Sequence, residues 1–375
     1  MKIAVDRNMP LAQEAFATLG EVQVIDGRSL QTKDIRDTTI LAIRSTTKVQ
    51  PNLLDGTDVR FVGTATIGTD HLDIPYLEKQ DIKWVYSPGC NARSVAEYIT
   101  AALLHLAITY NQPLKDQTLG IIGVGNVGSR VAAQAEALGM RVLLNDPPRA
   151  RTEDSQAFCE LSMLLDESDY ITMHVPLAND GQDPTFHMVN QTFLARMKPT
   201  ASFINAARGA IVQTPALVKA LQHATIRAAV LDTWEGEPTI SPELLELATI
   251  ATPHIAGHSF EGKVNGTLMV YREACKFLGR EPTFDATAFM PVPILPHTTF
   301  PTAGSQLEKL NELVRQAYDI MIDDKQFRSI KADPNGFDAL RRNYHMRREF
   351  ACTKVAAIPT PTLRSQVKAL GFELA

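Results

Sequence analysis

The feature that most constrains the fold is a set of three spaced glycines, Gly123, Gly125 and Gly128. The set follows the apolar segment 119–122 and opens the helix-like segment 127–138. In a turn from a strand to a helix, the first glycine allows a tight bend, the second lets the backbone approach a pyrophosphate, and the third allows close helix packing. With 21 glycines in 375 residues, chance predicts about 0.07 such triplets. The spacing therefore predicts a dinucleotide-binding turn, with a purely structural glycine turn as the alternative.

An acidic residue, Asp146, ends the next apolar run, 23 residues after Gly123. A carboxylate at this place accepts hydrogen bonds from ribose hydroxyls and repels a 2′-phosphate, so NAD is favoured over NADP. Arg149 lies nearby and is either a cation for a 2′-phosphate or a solvated loop residue. Asn126 and Val127, inside the glycine turn, are predicted to contact the cofactor where the helix begins.

Short apolar runs alternate with helical patterns on both sides of this turn. The runs are 3–5, 22–25, 40–43, 60–64, 84–86, 119–122, 141–144, 170–174, 201–204, 227–231 and 249–251. Such alternation is typical of parallel sheets, and the last six runs with their crossovers predict a doubly wound Rossmann domain. The fold class predicted is therefore α/β.

Two patterns predict helix starts. Ser94 with Glu97, and Ser305 with Glu308, have the spacing of capping boxes. The first is predicted to open a connecting helix over 94–110. The second opens an apolar seam, for which a core face is favoured over an intersubunit surface. The seam consists of Leu307, Leu310, Val314, Ala317 and Met321.

The composition excludes several classes of protein. Lys plus Arg number 37 against 42 Asp plus Glu, and the net charge of −5 argues against general binding of nucleic acid or of an anionic membrane surface. No apolar run has the length of a membrane span, and the first residues do not form a signal peptide. Cys90, Cys159, Cys275 and Cys352 are too widely spaced for a metal-binding pattern, so we predict no metal and a reduced, cytoplasmic setting.

Three residues near the ends of the later strands have the types that hydride transfer from an alcohol requires. This reaction needs a base for the hydroxyl proton, a cation for substrate charge, and a group that sets the protonation of the base. Arg208, Glu237 and His254 supply these types, and loops at these strand ends meet at the ligand crevice of an open sheet. Each alone has an ordinary alternative, a solvated arginine or a structural histidine. Their shared placement after the glycine turn favours catalysis.

The chain resembles the D-isomer-specific 2-hydroxyacid dehydrogenases over residues 1 to about 280. The runs that carry the resemblance are 123–128, 205–209, 235–238 and 252–257, and those that indicate one branch of the family are 61–71, 88–92 and 254–263. The resemblance implies a flavodoxin-like substrate domain, a Rossmann domain and a small C-terminal α+β module. It also implies NAD-dependent oxidation of 4-phospho-D-erythronate to the 2-oxo acid phosphate, a step of pyridoxine 5′-phosphate (vitamin B6) biosynthesis.

The resemblance implies a role for each motif residue. Arg208 would hold the C1 carboxylate and polarise the C2 oxygen. His254 would take the hydroxyl proton, and Glu237 would orient His254 and favour its protonated form. The implied cofactor contacts besides the glycine turn and Asp146 are Val175, Ala206, Ala207, Arg208, Asp232 and Gly257. At Val175 a threonine is more usual, so any hydrogen bond there must come from the backbone.

The implied substrate contacts are Ser45, Thr66, Ile67, Gly68 and His258. The chain from Thr66 to Gly68 would present backbone donors. His258 stands where this branch of the family usually has a tyrosine that touches the substrate. Arg44, beside Ser45, is our own candidate for the C4 phosphate because a guanidinium matches phosphate geometry, and an ordinary surface arginine is the alternative.

We predict three domains. Residues 1–93 and 256–285 form the substrate-binding (lid) domain, 94–255 the NAD-binding Rossmann domain, and 286–375 a C-terminal dimerisation domain. Five prolines between 282 and 301 are typical of a linker before the third. The predicted partners are a small phosphorylated 2-hydroxy acid and a second copy of the chain.

Alternatives to this function stay open. One is a dehydrogenase for another acid, such as phosphoglycerate, and a second is a dinucleotide-sensing binding protein on the same scaffold. A third makes the C-terminal segment the main functional element, through the basic cluster of Arg341, Arg342, Arg347 and Arg348. For that cluster a solvated helix face is the favoured interpretation.

Overall fold

The structure is a computed structural model that describes residues 1–153 and 157–375. Its strands are β1 (Lys2–Asp6), β2 (Glu21–Ile25), β3 (Thr38–Ile43), β4 (Phe61–Thr64), β5 (Lys83–Val85), β6 (Thr118–Ile122), β7 (Arg141–Asn145), β8 (Tyr170–Met173), β9 (Ser202–Asn205), β10 (Ala228–Leu231), β11 (Ile250–Ala251), β12 (His297–Thr299), β13 (Lys354–Ala356) and β14 (Glu373–Leu374). Its α-helices are α1 (Ala12–Ala17), α2 (Pro51–Leu54), α3 (Ile74–Lys79), α4 (Ala92–Thr109), α5 (Gly128–Ala137), α6 (Pro147–Glu153), α7 (Leu161–Glu167), α8 (Gln191–Arg196), α9 (Thr214–Gln222), α10 (Pro242–Leu247), α11 (Phe260–Phe277), α12 (Gln306–Ala317), α13 (Ile320–Ser329), α14 (Pro334–Arg342) and α15 (Pro361–Ala369).

The chain divides into two compact units. The first contains Met1–Asn91 and Ser259–Val292, and the second contains Ala92–His258 and Pro293–Ala375. The chain passes from one unit to the other at 91/92, 258/259 and 292/293, and the first two of these boundaries lie within three residues of the predicted domain limits. Residues from 293 onward group with the second unit. A separate dimerisation domain over 286–375 stays a prediction.

The first unit is built on a parallel five-stranded sheet in the order β2-β1-β3-β4-β5. This order is that of flavodoxin-like folds, as expected. Helices α1 and α11 pack on one face, where Phe16 meets Tyr271 edge-on at 5.7 Å between ring centroids. A Cβ on Gly63 of β4 would lie 2.3 Å from Val270 of α11, so the close packing of helix on sheet requires glycine there.

The second unit contains a parallel six-stranded sheet in the order β7-β6-β8-β9-β10-β11. A bridge from Leu144 to Phe158 extends it by one position beyond β7. The strand order reverses between β6 and β8, which is the switch point where doubly wound sheets bind ligands. The predicted α/β fold and its strands are confirmed.

The capping box predicted at Ser94 and Glu97 is wrong. Helix α4 begins at Ala92, before Ser94, and both side chains serve other segments instead. Ser94 Oγ donates to the Ala256 carbonyl at 2.7 Å, and Glu97 Oε1 accepts from the Phe350 amide at 2.8 Å. Both residues are completely buried, so tertiary partners replace the local ones. The second predicted box, at the start of α12, is confirmed.

The C-terminal residues form a parallel sheet in the order β12-β13-β14. Helical crossovers join these strands, which is an α/β arrangement rather than the segregated helices of an α+β module. Strand β12 lies inside the proline-rich stretch that was predicted to be a linker, and its place at the sheet edge tolerates prolines around it. The apolar seam of α12 is a core face, as expected, because Leu310 and Val314 share a buried cluster with Tyr98 of α4.

The basic cluster of the C-terminal segment is not a solvated face throughout. Arg347 is fully buried and its guanidinium lies 3.7 Å from the ring centroid of Tyr318. That part of the expectation is wrong, because the segment folds back onto α4. In the described part of the chain, no helix has both the length and the apolar character needed to cross a membrane.

Candidate active site

The glycine turn lies between β6 and α5 and leaves open space on its outer side. A Cβ on Gly123, which has φ +87°, would lie 2.7 Å from the His174 carbonyl oxygen, and one on Gly128 would lie 2.1 Å from the Gly123 carbonyl oxygen. A Cβ on Gly125 would meet nothing within 4 Å. The first and third glycines are thus required by packing, whereas the space at Gly125 fits the approach of a pyrophosphate. The N-terminus of α5 adds backbone donors for its charge.

Asp146 follows β7 and is hydrogen-bonded to the glycine turn. Its Oδ2 accepts from the Val124 amide at 2.8 Å, and its Oδ1 accepts from the Arg149 amide at 3.1 Å. A carboxylate oxygen has two lone pairs, so both oxygens retain acceptor capacity for ribose hydroxyls. The guanidinium of Arg149 donates to the Val124 carbonyl and pairs with Glu153 at 2.6 Å. Because Glu153 compensates its charge, Arg149 is a poor anchor for a 2′-phosphate.

Val175 lies beside the turn, since a Cβ on Gly123 would approach its Cγ1 to 2.8 Å. The preceding His174 is partly buried and is hydrogen-bonded through Nε2 to the Thr172 hydroxyl at 3.0 Å. Burial lowers the pKa of His174 to about 3, so the imidazole is neutral at physiological pH. His174 is therefore a structural residue beside the cofactor site.

Arg208 lies in a turn that directly follows β9. The buried Asn205 shapes this turn: its Oδ1 accepts from the Ala207 amide at 3.1 Å, and its Nδ2 donates to the Arg208 carbonyl at 3.0 Å. Gly209 presses against the next strand's loop, because a Cβ there would lie 1.9 Å from the Trp234 carbonyl oxygen. The turn with Ala206, Ala207 and Arg208 is thus fixed beside the loop that carries Glu237. The sequence analysis did not single out Asn205 as a site residue. The feature that could have indicated it is a polar residue at the end of a buried strand.

Glu237 and His254 form a close pair. The distance from Glu237 Oε1 to His254 Nδ1 is 2.5 Å, and Glu237 Oε2 also accepts from the Trp234 amide at 3.3 Å. Burial acts to raise the pKa of Glu237, but the charge and hydrogen bond of His254 outweigh it, so this pKa lies below the ordinary carboxyl value. The contact at Nδ1 orients the imidazole and leaves the ring's other nitrogen, Nε2, outside the pair with Glu237.

The backbone around His254 is strained and held by Asp232. His254 has φ +57°, a left-handed conformation that costs a non-glycine residue about 1–2 kcal/mol. Asp232 Oδ1 accepts from the Ile255 amide at 2.7 Å, Oδ2 accepts from the Ala256 amide at 3.0 Å, and the His254 amide donates to the Asp232 carbonyl at 2.7 Å. Burial raises the pKa of Asp232 despite the opposing charge of His254. Asp232 therefore positions the histidine loop, and its expected place near a nicotinamide stays a prediction.

Gly257 and His258 end this loop. The His258 ring packs edge-on against Tyr344 of the C-terminal segment, with 5.8 Å between ring centroids. The hydroxyl of Tyr344 donates to the buried Asp323 at 2.7 Å. His258, which stands where a tyrosine was expected, thus packs against an aromatic ring of the C-terminal segment.

The candidate substrate residues of the first unit follow adjacent strands. Arg44 and Ser45 come after β3, and Thr66, Ile67 and Gly68 come after β4, so all five lie at the carboxyl edge of their sheet. The Thr66 hydroxyl donates to the Gly68 carbonyl at 3.1 Å, which shapes the second loop.

Lys263, in the first turn of α11, was not singled out from the sequence. Burial lowers its pKa to about 8, and the positive charge of Arg44 adds to this effect. Two cations and a helix N-terminus therefore lie near one another in this unit, which suits an anion. The sequence feature that could have indicated Lys263 is its position four residues after Ser259, which caps the N-terminus of α11.

Comparisons with known proteins found two matches to family models, several curated relatives and several solved structures. Residues 104–256 match the family model of the D-isomer specific 2-hydroxyacid dehydrogenase, NAD binding domain, and residues 289–371 match a domain of unknown function. The chain is 42% identical over 373 residues to erythronate-4-phosphate dehydrogenase of Proteus mirabilis, covering 99% of both chains. It is 44% identical over 353 residues to the enzyme of that name from Salmonella typhimurium, covering 94% of this chain and 93% of the relative. The structure of D-lactate dehydrogenase from Aquifex aeolicus complexed with NAD and lactic acid matches with a TM-score of 0.61 and 26% identity, over 74% of this chain and 95% of that chain.

Proposed function

Since the chain belongs to the D-isomer-specific 2-hydroxyacid dehydrogenase family, we propose that it oxidises 4-phospho-D-erythronate to (R)-3-hydroxy-2-oxo-4-phosphooxybutanoate with NAD, in the biosynthesis of pyridoxine 5′-phosphate. The observation that carries the chemistry is the 2.5 Å pair of His254 and Glu237 at the same sheet edge as the glycine turn. We infer the identity of the substrate from the similarity of this chain, over nearly its whole length, to erythronate-4-phosphate dehydrogenases.

The side chains of the second unit divide the reaction between them. Arg208 binds the C1 carboxylate and polarises the C2 oxygen. His254 Nε2 takes the proton of the C2 hydroxyl, and the ionised Glu237 stabilises the imidazolium that results. Bound NAD would supply the acceptor for the hydride from C2, and loss of that hydride together with the hydroxyl proton would turn the alcohol carbon into a ketone carbon. Asp146, the glycine turn, Val175, Ala206, Ala207, Asp232 and Gly257 hold the cofactor in this proposal.

The phosphate is assigned to the first unit. Arg44 and Lys263 supply two positive charges, and the start of α11 supplies backbone donors. Burial and, to a smaller extent, repulsion from Arg44 lower the pKa of Lys263, and a doubly charged phosphate would offset both effects. Ser45 and the loop of Thr66, Ile67 and Gly68 bind the remaining hydroxyl groups, and His258 stays a predicted substrate contact.

Formation of NADH tests this proposal directly. We expect turnover with 4-phospho-D-erythronate, and much lower kcat/KM with 3-phospho-D-glycerate and with unphosphorylated D-erythronate. His254→Gln is the negative control, because it keeps the size and polarity of the side chain but removes the base. Preference for 3-phosphoglycerate would assign the alternative dehydrogenase activity, and absence of turnover with tight NAD binding would favour a dinucleotide-sensing role.

We further propose a cytoplasmic homodimer that forms through the C-terminal residues. Support for dimerisation comes from apolar side chains near the proline-rich stretch, where Val292 is 82% and Ile294 85% exposed. Burial of such side chains against a second copy would remove them from water. The described cysteines form no disulfide with one another, which fits a reducing compartment. Light scattering should give twice the chain mass, and Val292→Asp with Ile294→Asp should lower it toward one chain mass.

A further inference from the structure

The buried Arg347 of the C-terminal segment donates to the loop that carries His254. Its Nη1 donates to the Ala256 carbonyl at 3.2 Å, and its Nη2 donates to the Ser94 carbonyl at 2.9 Å. Nη2 also lies 3.5 Å from Glu97 Oε2, and the two side chains are 1% and 0% exposed. Stacking on Tyr318 at 3.7 Å fixes the guanidinium plane. One arginine thus ties the C-terminal segment to α4 and to the histidine loop.

Ala256, whose carbonyl Arg347 contacts, is held through both of its backbone polar groups. The Ala256 amide donates to Asp232, while the Ala256 carbonyl accepts from both Arg347 and the Ser94 hydroxyl. His254, two residues earlier, has a left-handed backbone conformation. Such a conformation persists in a non-glycine residue only where the surrounding structure over-determines it. The donors to the Ala256 carbonyl are part of what holds the histidine backbone in place.

We propose that Arg347 is a positioning residue for His254, so that the C-terminal segment is a working part of the catalytic centre as well as a candidate dimerisation element. Arg347 acts through the Ala256 carbonyl and keeps the His254 imidazole aligned with Glu237. This inference rests on the proposed function for its kinetic test. The alignment itself is a property of the free protein and has its own readout.

The kinetic test is a double-mutant cycle between Arg347→Lys and Glu237→Gln. A lysine keeps the charge but lacks the forked donors that reach two carbonyls and the carboxylate together. We expect kcat per bound NAD to fall about 10-fold in Arg347→Lys, with the KM for substrate within about two-fold, because alignment rather than binding is lost. In the double variant the two losses should not add, since both act on the same pair.

Arg328→Met is the matched control. Arg328 also pairs with a carboxylate, Asp324, and donates to the Leu245 and Ala248 carbonyls, both at 2.7 Å, but it contacts the end of α10 instead of the histidine loop. Its effect on stability should resemble that of an Arg347 variant, while its effect on kcat should be small and additive with Glu237→Gln. Equal and additive losses from both arginines would reduce Arg347 to a structural role and overturn the proposal.

Proton NMR of the enzyme without substrate separates this inference from the proposed function. The Nδ1 proton that His254 shares with Glu237 should give a low-field resonance, assigned by its loss in His254→Gln. We expect it to shift or broaden in Arg347→Lys and to stay unchanged in Arg328→Met, whichever acid is the substrate. If Arg347→Lys does not fold, Ser94→Ala removes the other side-chain donor to the same carbonyl and should change the resonance in the same direction. An unchanged resonance in the folded variant contradicts the proposal.

Discussion

Replacement of Glu237 by glutamine is the most direct probe of the His254 pair. Glutamine keeps the size of the side chain and an oxygen acceptor but loses the negative charge. A hydrogen bond to a charged group contributes about 1.5–3 kcal/mol. The two side chains are 29% and 24% exposed, so solvent screens the pair and the lower part of that range applies. A loss of about 1.5–2 kcal/mol corresponds to about 10- to 30-fold in kcat.

The substitution also has a pH signature. The pKa of Glu237 is lowered on folding, so its ionised form contributes stability above the ordinary carboxyl range, and that contribution is lost as the pH falls through the lowered value. In neutral buffer the carboxylate is charged and favours the imidazolium. Glutamine removes that charge from beside the base. The acidic limb of the kcat/KM profile should therefore move to lower pH in Glu237→Gln.

The assay is the initial rate of NADH formation across pH, with Glu235→Gln as the control. Glu235 also pairs with a histidine, His187, and accepts from the Thr214 amide at 3.0 Å, only two residues away from Glu237. Its replacement should lower stability and leave kcat within about two-fold, because His187 is not placed on the reacting atoms. A wild-type rate and profile in Glu237→Gln, or the same loss in Glu235→Gln, would refute the assigned roles.

Four further substitutions test the base, the glycine turn and the phosphate site. His254→Ala should lower kcat by about 10²-fold or more with NAD affinity nearly unchanged, and near-normal turnover would exclude it as the base. Gly125→Ala should weaken NAD binding, measured by calorimetry, with little change in Tm. Gly128→Ala should lower Tm, because its Cβ would lie 2.1 Å from a carbonyl oxygen. Equal changes of Tm in the two variants would contradict the packing argument. Lys263→Met should raise the KM for 4-phosphoerythronate about 10-fold or more and leave the weak turnover of unphosphorylated erythronate unchanged, since one ion pair to phosphate is lost; a parallel loss with both acids would place Lys263 outside the phosphate site.

The main elements of the site follow from local patterns in the sequence. The glycine turn, Asp146, Arg208, Glu237 and His254 each stand directly after a strand, and parallel strands bring their carboxyl ends to one edge. Pattern and position together therefore predict that these residues belong to one crevice. The strand runs were predictable for the same reason, since buried parallel strands appear as short continuous apolar segments.

The supporting residues do not follow from such patterns. Ser94 and Glu97 have the spacing of a capping box, yet the Ser94 hydroxyl donates to the Ala256 carbonyl and Glu97 accepts from Phe350, 253 residues later in the chain. Arg347 stands among three other arginines and looks like one of a solvated group. What distinguishes it is the buried carboxylate of Glu97 and the Tyr318 ring, and both contacts exist only after the C-terminal segment has packed on α4.

The same packing decides how dimerisation has to be tested. Phe300, Leu310 and Phe350 of the C-terminal residues share one buried cluster with Tyr98 of α4 and with the strands of the nucleotide-binding sheet. Deletion of residues 286–375 would expose that core and remove the partners of Glu97, so loss of the dimer in the truncated chain would also follow from unfolding. Point substitutions of exposed residues in the full chain avoid this ambiguity. Val292→Asp with Ile294→Asp should therefore change the mass by light scattering while Tm and the His254 resonance stay as in the wild type, and a dimer that survives these charges forms through another surface.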